Sequence, residues 1–177
     1  SPPSECPRAA VLHLKGWESG ISGLTITKEA HGKIPLVRVS AEATILHTVI
    51  LGAGLSPQGV DTIGIEVHVA QAASLVAEVV IRHTSIVDMD SAIRIPTPKD
   101  PTYDALHIEV KESAIGSCKR GIWRDAEQAD DLHIEVAMEN NYFCEVSDPH
   151  VSVGDGGVDV GDPDQKLLVA ETSDHQF

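Results

Sequence analysis

The pentapeptide LHIEV occurs twice, at 106–110 and at 132–136, and a chain that repeats one strand at such short range must first be read as a repeat protein. Within it Leu106, Ile108 and Val110 alternate with His107 and Glu109, the period of two expected of a strand with one buried face. Ile115 follows Val110 by five residues and Ile122 follows Ile115 by seven; the unit before keeps both offsets, from Ile81 to Ile86 to Ile93. Extended in both directions, this register links Ile26, Ile50, Ile81, Val110 and Val136 at spacings of 24, 31, 29 and 26 residues, with Leu55 and Asn141 as the positions five past Ile50 and Val136. A period in the twenties, built from short strands and polar turns, describes a solenoid. A single coil cannot bury its inward face, but coils stacked about 4.8 Å apart pair every strand and share one core.

Composition narrows the chemistry. Aromatic residues make up only 3% of the 177-residue chain, so the core expected from its 42% hydrophobic content is one of Val, Ile, Leu and Ala. Thirteen basic against 27 acidic side chains leave a formal charge of −14, which repels nucleic acid, anionic lipid and anionic polymers at long range. No nucleic-acid partner is expected. Nor is membrane insertion, since no uninterrupted apolar stretch approaches the roughly 18 to 20 residues that cross a bilayer. The chain opens on SPPSECPRAA without an initiator Met, as a processed form or one domain of a longer protein would. Residues 1–19, with Pro2, Pro3 and Pro7 opposing a regular ladder, are expected to cap or link; 20–150 form the solenoid, and the acidic Gly/Asp-rich 151–177 form a second cap or tail.

Leucine-rich repeats would need an LxxLxLxxN frame and left-handed β-helices a hexapeptide frame, and neither is present. Three short strands per coil with polar corners resemble the right-handed parallel β-helix of the pectin-lyase-like superfamily, over roughly residues 20 to 150. The expected fold is therefore all-β, a right-handed single-stranded parallel β-helix of about five coils. The resemblance implies polysaccharide bound or cleaved along a sheet face. The NTD, DD, GHG and RIK signatures shared by polygalacturonases are absent, and Asp88 and Asp90 in VDMDS come nearest to paired aspartates. Pectate lyases resemble one another in calcium-binding aspartates and an arginine base; Arg82, Arg94 and Arg124 are available, but their spacing singles out none.

Outward positions stack as inward ones do. The register places His47, Glu78, His107 and His133 in one column and Val49, Val80, Glu109 and Glu135 in the next, so the last two coils would display a square of two histidines and two glutamates. Stacked Glu109 and Glu135 would hold their Cβ atoms about 5 Å apart. Carboxylates that close raise one proton affinity, the acid and nucleophile arrangement of a glycosidase. Glu109, Glu135, Asp88 and Asp90 are thus the catalytic candidates, set against a plain solvated, salt-bridged face. His107, His133, Glu78 and His47 are candidate substrate-binding residues, with Trp123 and, on the 96–104 loop, Tyr103. Walls would come from that loop and from 56–61. No cofactor is required, although Asp155, Asp159, Asp162 and Asp164 among glycines could surround Ca2+ with oxygen. Asn140 and Asn141 follow the last LHIEV, where an inward Asn could hydrogen-bond at a corner or both could be plain turn residues. Cys6, Cys118 and Cys144 read as isolated thiols, or, with Cys118 and Cys144 also 26 apart, as one disulfide.

Three functions fit. One is a polysaccharide-recognition module of a secreted or phage-tail-spike-like protein, extracellular or virion-associated. Another is a glycosidase or lyase using stacked acidic residues. The third is a structural segment assembling as a homotrimer or larger array.

Overall fold

A computed structural model describes residues 10–29, 31–57, 60–69, 72–96, 101–125, 133–147, 151–153, 156–157 and 167–172, none of them in a helix. The first strands are β1 (Leu12–Leu14), β2 (Ser19–Ser22), β3 (Thr25–Thr27), β4 (Val37–Val39), β5 (Ala43–Leu46), β6 (Val49–Leu51) and β7 (Ile63–Val67). There follow β8 (Val76–Arg82), β9 (Ser85–Ile95), β10 (Ala105–Lys111), β11 (Ala114–Arg124), β12 (His133–Glu139) and β13 (Tyr142–Val146). Last come β14 (Val151–Val153), β15 (Gly156–Gly157) and β16 (Leu167–Thr172). Every described pairing is parallel except that of β14 with β15.

The strands form a parallel β-solenoid with three stacks. The first face is β2, β5, β8, β10, β12 and β16. The second is β3, β6, the first halves of β9 and β11, and β13; the third is β1, β4, β7, the second halves of β9 and β11, and β14. The chain makes about four turns from β2 to β12, and β16 adds a further strand to the first face. Strands therefore continue past both ends of the 20–150 range, since β1 pairs with β4 and β16 with β12.

The two LHIEV strands do pack as neighbours, but not letter on letter. Leu106 lies beside Ile134, Ile108 beside Val136 and Val110 beside Met138, a step of 28 residues where the repeated letters imply 26. Likewise Ile50 pairs with Ile86, while Ile81 pairs with Ile45 and Val110. Packing explains the slip. With a step of 28, Ile115 stacks on Phe143, and both are buried; a step of 26 would have set Ile115 against polar Asn141. Like-sized apolar groups align because burial drives the stack, whatever the identity of the outward letters.

Asn141 instead completes a buried polar column at the corner between the first and second faces. Thr48, Thr84, Ser113 and Asn141 occupy it, each preceded by a residue of positive φ: His47 at 46°, His83 at 49°, Glu112 at 48° and Asn140 at 52°. The left-handed residue turns the chain, and the side chain behind it satisfies backbone groups that the turn leaves unpaired. The Thr48, Thr84 and Ser113 hydroxyls donate to the carbonyls two residues back. Ser113 Oγ accepts from the Thr84 N–H, Asn141 Oδ1 accepts from the Ser113 N–H at 3.0 Å, and Asn141 Nδ2 donates to the Val110 carbonyl at 2.7 Å.

A second bend, between the second and third faces, runs through Asp88, Ser117 and Glu145, also of positive φ. Gly52 meets this bend, and a Cβ there would lie 2.1 Å from the Asp88 carbonyl oxygen, so no larger residue fits without moving backbone. Inside the three faces the core is mainly aliphatic, as the composition requires, with Met89, Met138, Cys118, Tyr103 and Phe143 among its members.

Candidate functional site

On the first face the inward residues of β10 are buried and the outward ones half-buried. The two-residue slip takes the expected square of side chains apart. Glu109 neighbours Ala137 and Val80, His133 neighbours Ala105, and Glu135 lies beside His107, with Nδ1 and Oε2 3.4 Å apart. Glu109 and Glu135 are thus not stacked. Glu109 is held instead by Arg82 at 2.5 Å and Lys111 at 3.0 Å, and Lys111 continues to Glu139 at 2.9 Å. Partial burial pushes the Glu109 carboxyl upward, but hydrogen bonds from Lys111 and Arg82 outweigh it and hold the group below the usual glutamate value. That is the reverse of what a general acid needs. Glu78 stands in register beside His107, whereas His47 has left the strand for the corner, where its ring stacks on His83 at 4.7 Å.

The other sequence candidates are dispersed. Asp88 forms the second bend. Asp90 is buried and accepts from the Thr62 N–H at 2.9 Å and the Thr62 hydroxyl at 2.8 Å, with the Ser56 N–H beyond, so it fastens the 56–62 loop. Tyr103 belongs to the core: it is 3% exposed, donates to the Val69 carbonyl, and burial pushes its hydroxyl up to about 12. Arg82 is paired as above, and Arg124 points inward in the Val67 and Ile95 column, where burial lowers its pKa. Cys118 and Cys144 are both free thiols. Cys118 is buried, Cys144 is exposed and lies beside Gly116, and Cys118 pairs with Val146, so no disulfide joins them. Asp155, Asp159, Asp162 and Asp164 lie outside the described residues, as does Cys6.

The third face brings together a group that includes Trp123 and, of the three arginines the sequence offered, Arg94. Its outward column runs His13, Arg38, Glu66, Arg94, Trp123, one residue per coil. These side chains leave the core, yet Arg38 is only 8% and Glu66 only 3% exposed. Arg38 reaches Glu66 at 2.6 Å, and Arg94 approaches the other Glu66 oxygen at 4.0 Å. A two-pronged pair, at 3.0 and 2.7 Å, ties Arg94 to Asp125 at the end of β11. Burial works against the Arg94 charge, but Asp125 and Glu66 more than restore it and raise its pKa. The Trp123 ring lies 5.2 Å from the Arg94 guanidinium carbon and 4.3 Å from that of Arg120, whose guanidinium comes within 3.9 Å of Asp61 on the 52–62 loop. The Arg94 and Arg120 guanidinium groups thus flank one indole, and the formal charges of the three arginines and three carboxylates linked to it cancel. Together they offer planar donors, acceptors and an aromatic surface held by paired contacts, the elements of a site for a neutral polar ligand.

A sequence signal for this column exists. The strands VRV, IEV, IRI and IWR place Arg38, Glu66, Arg94 and Trp123 at steps of 28, 28 and 29, the coil's working period. No family model, curated protein or solved structure matches the chain.

Proposed function

We propose that the protein is a non-catalytic polysaccharide-recognition module that binds a neutral glycan on the third face. The observation that carries this reading is the Arg38, Glu66, Arg94, Trp123 column with its neighbours Arg120, Asp61 and Asp125, in which the indole is flanked by the Arg94 and Arg120 guanidinium groups and the formal charges of the six ionic groups sum to zero. A sugar presents apolar C–H faces and a rim of hydroxyls, which suit a ring and charged hydrogen-bonding groups respectively. The formal charge of −14 favours neutral over anionic polymers. The pectin-lyase-like resemblance supports the same ligand class, and a secreted or virion-borne setting suits it. What favours binding without cleavage is the pairing of Glu109 with two cations and of Asp90 with the 56–62 loop, which leaves neither as an acid or nucleophile.

A glycan panel read by Trp fluorescence tests this in the Trp17→Phe variant, whose single indole is Trp123. A ligand-dependent shift unaccompanied by reducing-end release is the expected result, together with weakened binding by calorimetry in Trp123→Ala. Release of reducing ends would replace the reading with an enzyme, and silence across the panel would leave the structural role.

A further inference from the structure

The second face has a different outward chemistry. Its first column is Thr25, Val49, Ser85, Ala114 and Tyr142, and its second runs from Thr27 through Leu51, Val87 and Gly116 to Cys144. Not one of these residues is charged, in a chain where 23% are. Val49 is 40% and Tyr142 49% exposed, and Thr25, Thr27 and Cys144 are exposed too, while Leu51, Ser85, Val87 and Ala114 between them are half-buried and Gly116 is buried. Polar rims border it on both long sides. Along one corner stand His47, His83, Glu112 and Asn140, with the two imidazoles stacked and His83 3.0 Å from Glu112. Along the other bend, the Ser117 hydroxyl donates to Glu145 at 2.9 Å.

The dimensions select the occupant. Five rungs about 4.8 Å apart and three residues of about 3.3 Å make a floor of roughly 200 Å², against about 800 Å² per partner in a standard protein interface. A second copy of this chain, also strongly acidic, is poorly served by such a strip. A single polymer chain lying along the solenoid axis covers it. Its ring C–H faces would meet the aliphatic floor and Tyr142, while its hydroxyls would reach the rims; a polyanion would be repelled. We infer that the second face is a binding strip for one neutral, linear glycan chain, separate from the third-face column. This rests on the polysaccharide reading for the ligand's class but not for its place.

Neutral β-1,4-linked gluco-, manno- and xylo-oligosaccharides of increasing length are the probes, titrated against wild type, Ser85→Glu/Ala114→Glu, Tyr142→Ala and Trp123→Ala. Both floor positions point outward, and thermal melting of each variant checks that the fold survives. Affinity should rise with chain length, fall tenfold or more in the double glutamate variant at little-changed Tm, fall less in Tyr142→Ala, and persist in part in Trp123→Ala. Wild-type binding by both floor variants would overturn the strip while leaving the third-face reading intact. Loss confined to Trp123→Ala would do the same. No oligosaccharide binding by wild type would remove both readings, and a wild-type dimer that Ser85→Glu/Ala114→Glu dissociates would reassign the strip to self-association.

Discussion

The first and third faces both carry outward charges stacked one per coil, and they differ in how far water reaches them. On the first face Arg82 is 44% and Lys111 29% exposed around a Glu109 that is itself 12% exposed, a ladder that solvent and salt screen from its cationic side. On the third face Glu66 and Arg38 are almost wholly covered, so their attraction is stronger and the loss of either breaks a buried pair. Exposure, more than charge count, decides what a charged column does. An open ladder keeps a solenoid face wetted, and a covered one fixes side chains in the geometry a ligand needs.

The sharpest way to break this contrast is Glu66→Ala, which removes the carboxylate that buried Arg38 holds at 2.6 Å and that Arg94 also approaches. A loss of about 3 to 5 kcal/mol is expected, read as a lower midpoint in urea. A loss no greater than that of Glu109→Ala would make the two faces equivalent. Next in size is Asn141→Ala at the corner flanking the first face, which strips partners from the Ser113 N–H and the Val110 carbonyl. About 1 to 3 kcal/mol is expected, and hydrogen exchange should speed first at Ser113.

Glu109→Gln should cost about 1 kcal/mol at neutral pH, the upper end for pairs whose cations are open to water, since Glu109 itself is largely covered. Its sign with pH is more telling. The folded carboxyl sits below its unfolded value of 4.5, so its contribution is complete above that value and is lost as pH falls through the lower folded pKa. Tm differences between wild type and Glu109→Gln should therefore close in acid, and a gap that widens there would mean the group is not held by Arg82 and Lys111. The smallest effect compares thiols on the bent sheet. In a Cys6→Ser background a thiol reagent should label Cys144 and spare Cys118, whose thiol burial pushes up to about 11, until the protein is unfolded. Equal labelling of both in the native state would contradict the inward placement of Cys118.

The solenoid, its aliphatic core and the inward and outward alternation of LHIEV were legible in the sequence because a period of two and a recurring coil follow directly from pleat and stacking. The rung register was not. Identical letters invite alignment at 26 residues, whereas the chain aligns Val110 with Met138 and gives Asn141 to the corner. Uneven loops hide the rungs further: the 52–62 excursion stretches the step from Ile50 to Ile86 to 36 residues. Because the candidate site was read from that register, the Glu109 and Glu135 pair went with it. Trp123 was singled out alone, its arginine and glutamate column being visible only once the coils were aligned at 28.

The register itself can be measured by cross-linking in a Cys6→Ser/Cys144→Ser background. Glu109→Cys paired with Ala137→Cys puts two thiols on adjacent rungs about 4.8 Å apart, within disulfide reach, whereas Glu109→Cys with Glu135→Cys sets them about 8 Å apart on the diagonal, beyond it. Rapid oxidation of the first pair and not the second is the predicted result. Closure of the 109 and 135 pair in preference would restore the stacked carboxylates and overturn the register on which the third-face site depends.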